Sequence, residues 1–308
     1  MRALALVLLL ARAASAQDVP PPPPPALEET ITVTTTRRAE RIADSAASVT
    51  TIDRDELAHS APVALDEKLR QVPGFTLFRR AGSRFAHPTA QGVSLRGIGA
   101  SGASRALVLD DGVPLNDPFG GWVQWGLVPR LVIDRVEILR GGGSELYGSA
   151  ALGGVVQLIR ADVRRAAGGP YVTADLSYGS DATFDGSLFA AGAAGALGWH
   201  AAAQRFSTDG YVLVPAEERG AVDVEAASAQ TSAEIALHAT GASSAWALRA
   251  GSYDEERNNG TPLQVNETSV LRLIGSGDLV RDDSALSLRA FALTEQLDAA
   301  FSAIADDR

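Results

Sequence analysis

Two glycine-rich stretches have the spacing of phosphate-binding loops. In RGGGSELYGSAALGGVVQLIR, Arg140–Arg160, Gly143 and Gly148 stand as far apart as the glycines of G-x-x-x-x-G-K-[ST]. That loop needs a Lys to meet the terminal phosphates, and Ser149–Ala150 stand in its place. The run from Gly97 to Gly102, GIGASG, matches G-x-G-x-x-G behind the strand-like Gln91–Leu95. A dinucleotide fingerprint continues into a helix, whereas Ala103–Leu109 reads as a strand. Both runs therefore point to close backbone packing rather than to a nucleotide. Asp110–Asp111–Gly112 offers two carboxylates, but in this order they are turn residues. With no Cys, no thiolate nucleophile, thiolate metal site or disulfide exists, and the four His (His59, His87, His200, His238) show no metal-ligand spacing. No catalytic residue, metal site or cofactor is expected, and the protein does not read as an enzyme.

The net charge of −10 argues against nucleic acid as a partner, since phosphate binding needs a basic face. The N-terminus carries Arg2, the apolar run Ala3–Ala11 and the small-residue motif Ala14–Ala16. This pattern is an export signal cleaved before Gln17. No other segment has the ~18–20 apolar residues of a membrane helix. A mature chain that enters a membrane must do so as a β-barrel.

The elements follow in order. Val19–Ala26 (VPPPPPPA) is an extended, semi-rigid spacer. Leu27–Thr36 alternates Ile31 and Val33 with Thr and favours an extended strand. It is either an edge open to a partner chain or the first strand of the next domain. A strand at Ser48–Ile52 leads to Asp53, an N-cap with Glu56 three residues on, and so to a short helix. A second helix is predicted over Ala64–Val72, with Leu65, Leu69 and Val72 on one face, ended by Pro73–Gly74. Strands follow at Gln91–Leu95, Ala106–Leu109, within Val128–Leu139 and at Gly153–Ile159, with a turn at Asp111–Gly112. From Tyr171 onward the texture changes to strict alternation, clearest in Tyr171–Tyr178, Thr231–Ala239, Trp246–Ala250 and Leu286–Ala292. Phe184–Gly192, Gly198–Ser207 and Val270–Leu279 are weaker strands. Strands of about 8–10 residues with one apolar and one polar face fit a transmembrane barrel, and Tyr and Trp near their ends fit its aromatic girdles. A soluble β-sandwich has the same period. The export signal favours the outer membrane.

Residues 28–162 resemble the plug of TonB-dependent outer-membrane receptors, of the kind that take up vitamin B12 or siderophores. The resemblance rests on EETITVT (Glu28–Thr34), LDEKLRQVPGF (Leu65–Phe75), VSLRGIG (Val93–Gly99), ALVLDDGVPLND (Ala106–Asp117) and IDRVEILRGGGSELYGSAALGGVVQLI (Ile133–Ile159), in that order. It implies an α+β plug followed by the first strands of an antiparallel transmembrane β-barrel of about 22 strands. The organisation expected is 1–16 signal peptide, 17–36 Pro-rich linker and TonB box, 37–162 plug, and 170–308 partial barrel. With about seven candidate strands and a polar Asp306–Asp307–Arg308 end, the chain reads as a fragment whose barrel is incomplete.

The resemblance also implies energised uptake of a scarce, large solute such as iron–siderophore or cobalamin. It assigns Glu29, Thr30, Ile31, Thr32, Val33 and Thr34 to pairing with TonB in the periplasm. A tethered extended segment can add as a strand to a partner sheet. Substrate contact falls to two plug loops. Arg79, Arg80, Arg84 and His87 around Phe85 suit an anionic ligand, and Phe119 and Trp122 suit stacking. Arg96 and Arg140 match plug arginines that latch onto barrel glutamates. The other partner is outer-membrane lipid, with the N-terminus periplasmic and the plug in the barrel lumen. Two rival functions are a signalling transducer of the same family and a non-transporting binding or adhesion protein. The transducer usually carries an extra folded N-terminal domain, for which Ala16–Glu29 leaves no room.

Overall fold

The computed structural model describes residues 32–33, 40–42, 45, 47–60, 64–78, 82–97, 104–163 and 169–303. The expected export signal 1–16, the expected linker over 17–31 with Glu29, Thr30 and Ile31, then Thr34, Arg79, Arg80 and the end 304–308 lie outside the described residues.

Thr32–Val33 (β1) pairs antiparallel with Glu40–Arg41 (β2). Ser48–Asp53 (β3) runs into the helix Arg54–His59 (α1), which starts where the Glu56 amide donates to Asp53 Oδ1 at 2.7 Å. The second helix, Leu65–Leu69 (α2), is shorter than the sequence predicts. Beyond it the Gln71 and Val72 amides donate to the carbonyls of Lys68 and Leu69, three residues back, tightening the last turn ahead of Pro73. Gly74, at φ +86, ends it.

Phe75–Leu77 (β4) pairs with Val93–Leu95 (β5). Leu107–Asp110 (β6) and Val113–Pro114 (β7) form a hairpin whose central residues, Asp111 (φ 51) and Gly112 (φ 86), are both left-handed, as a two-residue hairpin turn requires. The strand predicted within Val128–Leu139 begins at Ile133, after a short 3-10 turn at Arg130–Val132 behind Pro129, and runs to Arg140 (β8). The single turn Ser144–Tyr147 (α3) then leads to Gly154–Arg160 (β9). The five-stranded sheet has the order β3-β8-β9-β6-β7, with β6 and β9 parallel and the other pairs antiparallel. Its core is Ile52, Val108, Val136, Ile138, Val156 and Leu158, closed by Leu69, Phe75, Leu95 and Trp125.

Seven strands then form one antiparallel sheet in sequence order: Tyr171–Tyr178 (β10), Phe184–Ala194 (β11), Leu197–Thr208 (β12), Ser228–Thr240 (β13), Ser244–Asn258 (β14), Val265–Arg281 (β15) and Ser284–Asp298 (β16). The sheet is open, with β10 and β16 at its edges. The last three strands run longer than predicted because the ladder continues past the apolar band through charged residues such as Asp254 and Glu256. At one end the connections are tight, at 195–196, 241–243 and 282–283; at the other lie the longer 209–227 and 259–264.

This wall is inside out compared with a soluble sheet. On β13, Ile235 and Leu237 are 64% and 66% exposed, whereas their neighbour Glu234 is 3% exposed. On β14 and β15 the same holds for Leu248 and Leu271 against Arg249, Arg257 and Arg272. The alternation that fits sandwich and barrel alike is thereby decided, because a sandwich buries its apolar face and a membrane barrel exposes it. Trp199 and Trp246 point outward beside the tight turns, where a girdle belongs. The inward residues Phe189, Ala191, Ala202, Tyr253 and Val270 join the core of the five-stranded domain.

Candidate functional site

The polar inner face of the wall grips the smaller domain at three places. The deepest is an ion cluster. Asp110, the last residue of β6, accepts from Arg160 Nε at 2.6 Å and Nη2 at 2.7 Å, and from Arg272 Nη1 at 2.9 Å. Glu234 accepts from Arg160 Nη2 at 2.9 Å and Arg272 Nη2 at 3.1 Å, and also pairs with Arg160 Nη1. Arg249 brings Nη1 to 3.5 Å from Asp110 Oδ1. All five side chains are nearly sealed from solvent. Burial alone would raise the Asp110 pKa, but Arg160, Arg249 and Arg272 outweigh it and hold the carboxyl far below the usual range. Burial likewise opposes the charge on Arg160, and Asp110 and Glu234 outweigh it. Behind Glu234, His200 Nε2 lies 2.9 Å from Oε1, and His200 Nδ1 lies 3.0 Å from His238 Nε2. Because a carboxylate only accepts, His200 donates to it through Nε2.

The second grip is Arg130. Its guanidinium donates to Asp185 Oδ2 and Asp175 Oδ2, both at 3.1 Å, and its backbone amide donates to Gln204 Oε1 at 3.0 Å. The third holds the loop 82–91 at the end with long connections. Asp66, buried in α2, accepts from the Ser83 amide at 2.7 Å and hydroxyl at 2.6 Å. Burial raises the Asp66 pKa, and these two bonds oppose the shift. From the wall, Arg257 donates to the carbonyls of Ser83 (2.6 Å) and Ala86, and Asn259 to that of Phe85 at 2.8 Å.

A family model described as the TonB-dependent receptor plug domain matches residues 41–155. This segment carries the plug domain of TonB-dependent receptors. Among curated relatives, the vitamin B12 transporter BtuB of Vibrio vulnificus (strain CMCP6) is 32% identical over 146 residues, which are 47% of this chain and 22% of that protein. BtuB of Vibrio cholerae serotype O1 (strain M66-2) is 32% identical over 123 residues, 40% of this chain and 19% of that protein. The chain thus spans about a fifth of the length of these relatives. Among solved structures, the alcaligin receptor FauA from Bordetella pertussis superposes at a TM-score of 0.66 and 14% identity, covering 86% of this chain and 42% of that one. The copper transporter OprC gives 0.63 and 17%, covering 82% and 38%. At such identities the likeness is one of fold: a plug against part of a barrel.

The structure brings some of the sequence candidates together and separates others. Arg84, Phe85 and His87 share the clamped loop. The Arg84 guanidinium lies 5.4 Å from the Phe85 ring centre and 5.2 Å from that of Phe206, a cation–π sandwich. Phe85 meets Tyr211 edge-on at 4.9 Å, and His87 stacks on Phe301 at 4.2 Å. Phe119 and Trp122 diverge: Phe119 is 95% exposed, while Trp122 is buried against Gly120, where any Cβ would strike its ring. Thr32 and Val33 pair with Arg41 and Glu40 of the same chain. Arg96 Nη1 reaches the backbone position of Gly141, next to Arg140 in the chain, and neither arginine makes an ion pair with a described wall residue. Among the described residues, the ion pairs between plug and wall run through Arg130, Arg160 and Asp110. Asp110, Arg130, Arg160, Glu234, Arg249, Arg257 and Arg272 are the residues that sequence reasoning misses. Strand parity offers the one available signal, since charged residues on the face opposite the outward Ile235, Leu248 and Leu271 must meet the plug.

His87 supplies a pH prediction. Its Nδ1 accepts from the Thr89 amide at 3.3 Å and its Nε2 donates to the Ala300 carbonyl at 3.2 Å, which fixes the neutral Nε2–H tautomer. Burial lowers its pKa from 6.5; the Ala300 bond opposes the shift and the Arg257 cation adds to it. A His with a lowered folded pKa favours the folded state fully at high pH. That advantage is lost as pH falls below the unfolded value of about 6.5. Protection of the 82–91 amides, measured as exchange relative to the intrinsic rate at each pH, is therefore expected to fall below that pH in the native protein and to stay flat in His87→Gln. An equal pH response in the two would refute the assignment.

Proposed function

We propose that the protein is an outer-membrane receptor that takes up a scarce, large solute through TonB-coupled movement of its plug. The observation that carries this reading is the wall's inverted polarity. Its apolar face is turned out, as lipid demands, and its charged face is closed on the plug. The relatives and structural neighbours bear names of cobalamin, siderophore and copper transport, so the solute class proposed is a metal chelate or cobalamin-like molecule. Long connections mark the outward end of such barrels and tight turns the periplasmic end. The clamped loop with Arg84, Phe85 and His87 then faces outward, and Arg79, Arg80, Arg84, Phe85, His87, Phe119 and Trp122 are the proposed ligand contacts.

In this reading 1–16 is the export signal and 17–36 the tether ending in the TonB box, Glu29–Thr34. The plug runs over 37–162 and the wall over 170–308. TonB pairs with the box by strand addition, drawing on inner-membrane energy. Deleting Glu29–Thr34 is expected to reduce uptake by cells expressing the protein to the level of a strain without TonB, while surface binding of the solute persists. Uptake that continues unchanged would overturn the proposal.

A further inference from the structure

The ion cluster contains one guanidinium that nothing in it satisfies. Arg249 is 2% exposed, and its Nε, Nη1 and Nη2 are all buried without a hydrogen-bond partner. The ladder explains why. Directly across from Arg249 stand Ala236 on β13 and Ile274 on β15, neither of which carries a side-chain acceptor. The nearest carboxylate oxygen, Asp110 Oδ1, is 3.5 Å away and already accepts from Arg160. A buried guanidinium has five N–H donors to place, and leaving them unmet costs more than almost any other polar defect.

Charge points the same way. Arg160, Arg249 and Arg272 face Asp110 and Glu234, so the sealed group holds one more cation than anions. The neighbouring Asp111 acts on Arg249 only through space and is partly open to solvent. The nearby His200 and His238 bring ring nitrogens already engaged with Glu234 and with each other. Water would occupy the donors and leave the surplus charge in place. A small anion answers both needs, through charge-assisted bonds.

We propose that Arg249 holds a monatomic anion, chloride or its heavier congener bromide, at the contact between plug and wall. The anion completes the charge balance of the Asp110–Arg160–Glu234–Arg272 cluster, and halide occupancy thereby favours the seated plug.

The test uses the full chain in detergent, unfolded thermally in sodium chloride, sodium bromide or sodium gluconate at equal ionic strength. The halides are expected to raise the midpoint saturably, by about 2–4 °C, and bromide is expected to give an anomalous scattering peak beside the Arg249 guanidinium in crystals. Arg249→Met should abolish the halide dependence, and Arg249→Lys should retain a weaker one. Identical midpoints in gluconate and halide, or a halide effect unchanged in Arg249→Met, would overturn the proposal. So would water in place of bromide at Arg249. If Arg249→Met does not fold, the bromide peak in the native protein and the Arg249→Lys titration decide the matter.

Discussion

Asp110→Asn is expected to be the most damaging single change at the contact between plug and wall, lowering stability by about 3–5 kcal/mol. The carboxylate is fully buried and accepts from Arg160 and Arg272 while Arg249 stands 3.5 Å off. The amide keeps the shape but loses the charge, and its NH2 group is turned toward guanidinium donors. Three buried cations would then face Glu234 alone. Arg160→Met should cost less, although it removes more hydrogen bonds. It leaves two guanidiniums facing two carboxylates, and Arg249 is placed to move onto the vacated Asp110 Oδ1. The ranking thus tests charge balance against bond counting. Because the folded pKa of Asp110 lies below its unfolded value of 3.8, its contribution is present above about pH 4 and is lost as pH falls further. The deficit of Asp110→Asn should accordingly be constant through neutral pH. Denaturant unfolding followed by the fluorescence of Trp122 and Trp125, both buried in the plug, measures it. A cost below that of Arg160→Met would contradict the charge-balance account.

How this cluster escapes a sequence reading is instructive. Asp110–Asp111–Gly112 reads as a turn, and Asp111 and Gly112 do form one, both at positive φ. Asp110 is one residue earlier, still in β6, and strand parity turns it inward. Composition cannot see a boundary that fine. His200 and His238 are far apart in sequence, and only the β12–β13 register brings them together. The Arg249 defect is likewise a matter of register, since it exists because Ala236 and Ile274 are its neighbours. Local chemistry was legible: the Asp53 cap with its Glu56 amide, the hairpin at Asp111–Gly112, and the apolar–polar alternation of the wall. Alternation gives the two faces but not which of them is buried. That depends on what the sheet packs against, which no window of residues contains.

Gly154→Ala is expected to be comparably severe, at about 2–5 kcal/mol, for a purely steric reason. Gly154 opens β9 opposite Arg140, with φ +136, a conformation essentially reserved for glycine. A Cβ there would sit 2.2 Å from the Leu139 carbonyl oxygen and 2.8 Å from Leu95 Cδ1. The first of these is backbone in the partner strand and cannot swing aside without breaking the β8–β9 ladder. Gly142, in the same glycine-rich stretch, is the natural control. It has ordinary φ, and no atom lies within 4 Å of the place a methyl group would take, so Gly142→Ala should stay within about 0.5 kcal/mol of the native protein. Urea midpoints of the two variants, compared at equal m-value, give the answer. A phosphate cradle would make the whole run sensitive through ligand binding. A packing signature concentrates the cost where β9 threads between Leu139 and Leu95. Equal costs at both positions would mean that the run is not read by the fold in this way. A large gap would place its meaning in the close approach to β8 of β9, the central strand that carries Arg160 to the wall.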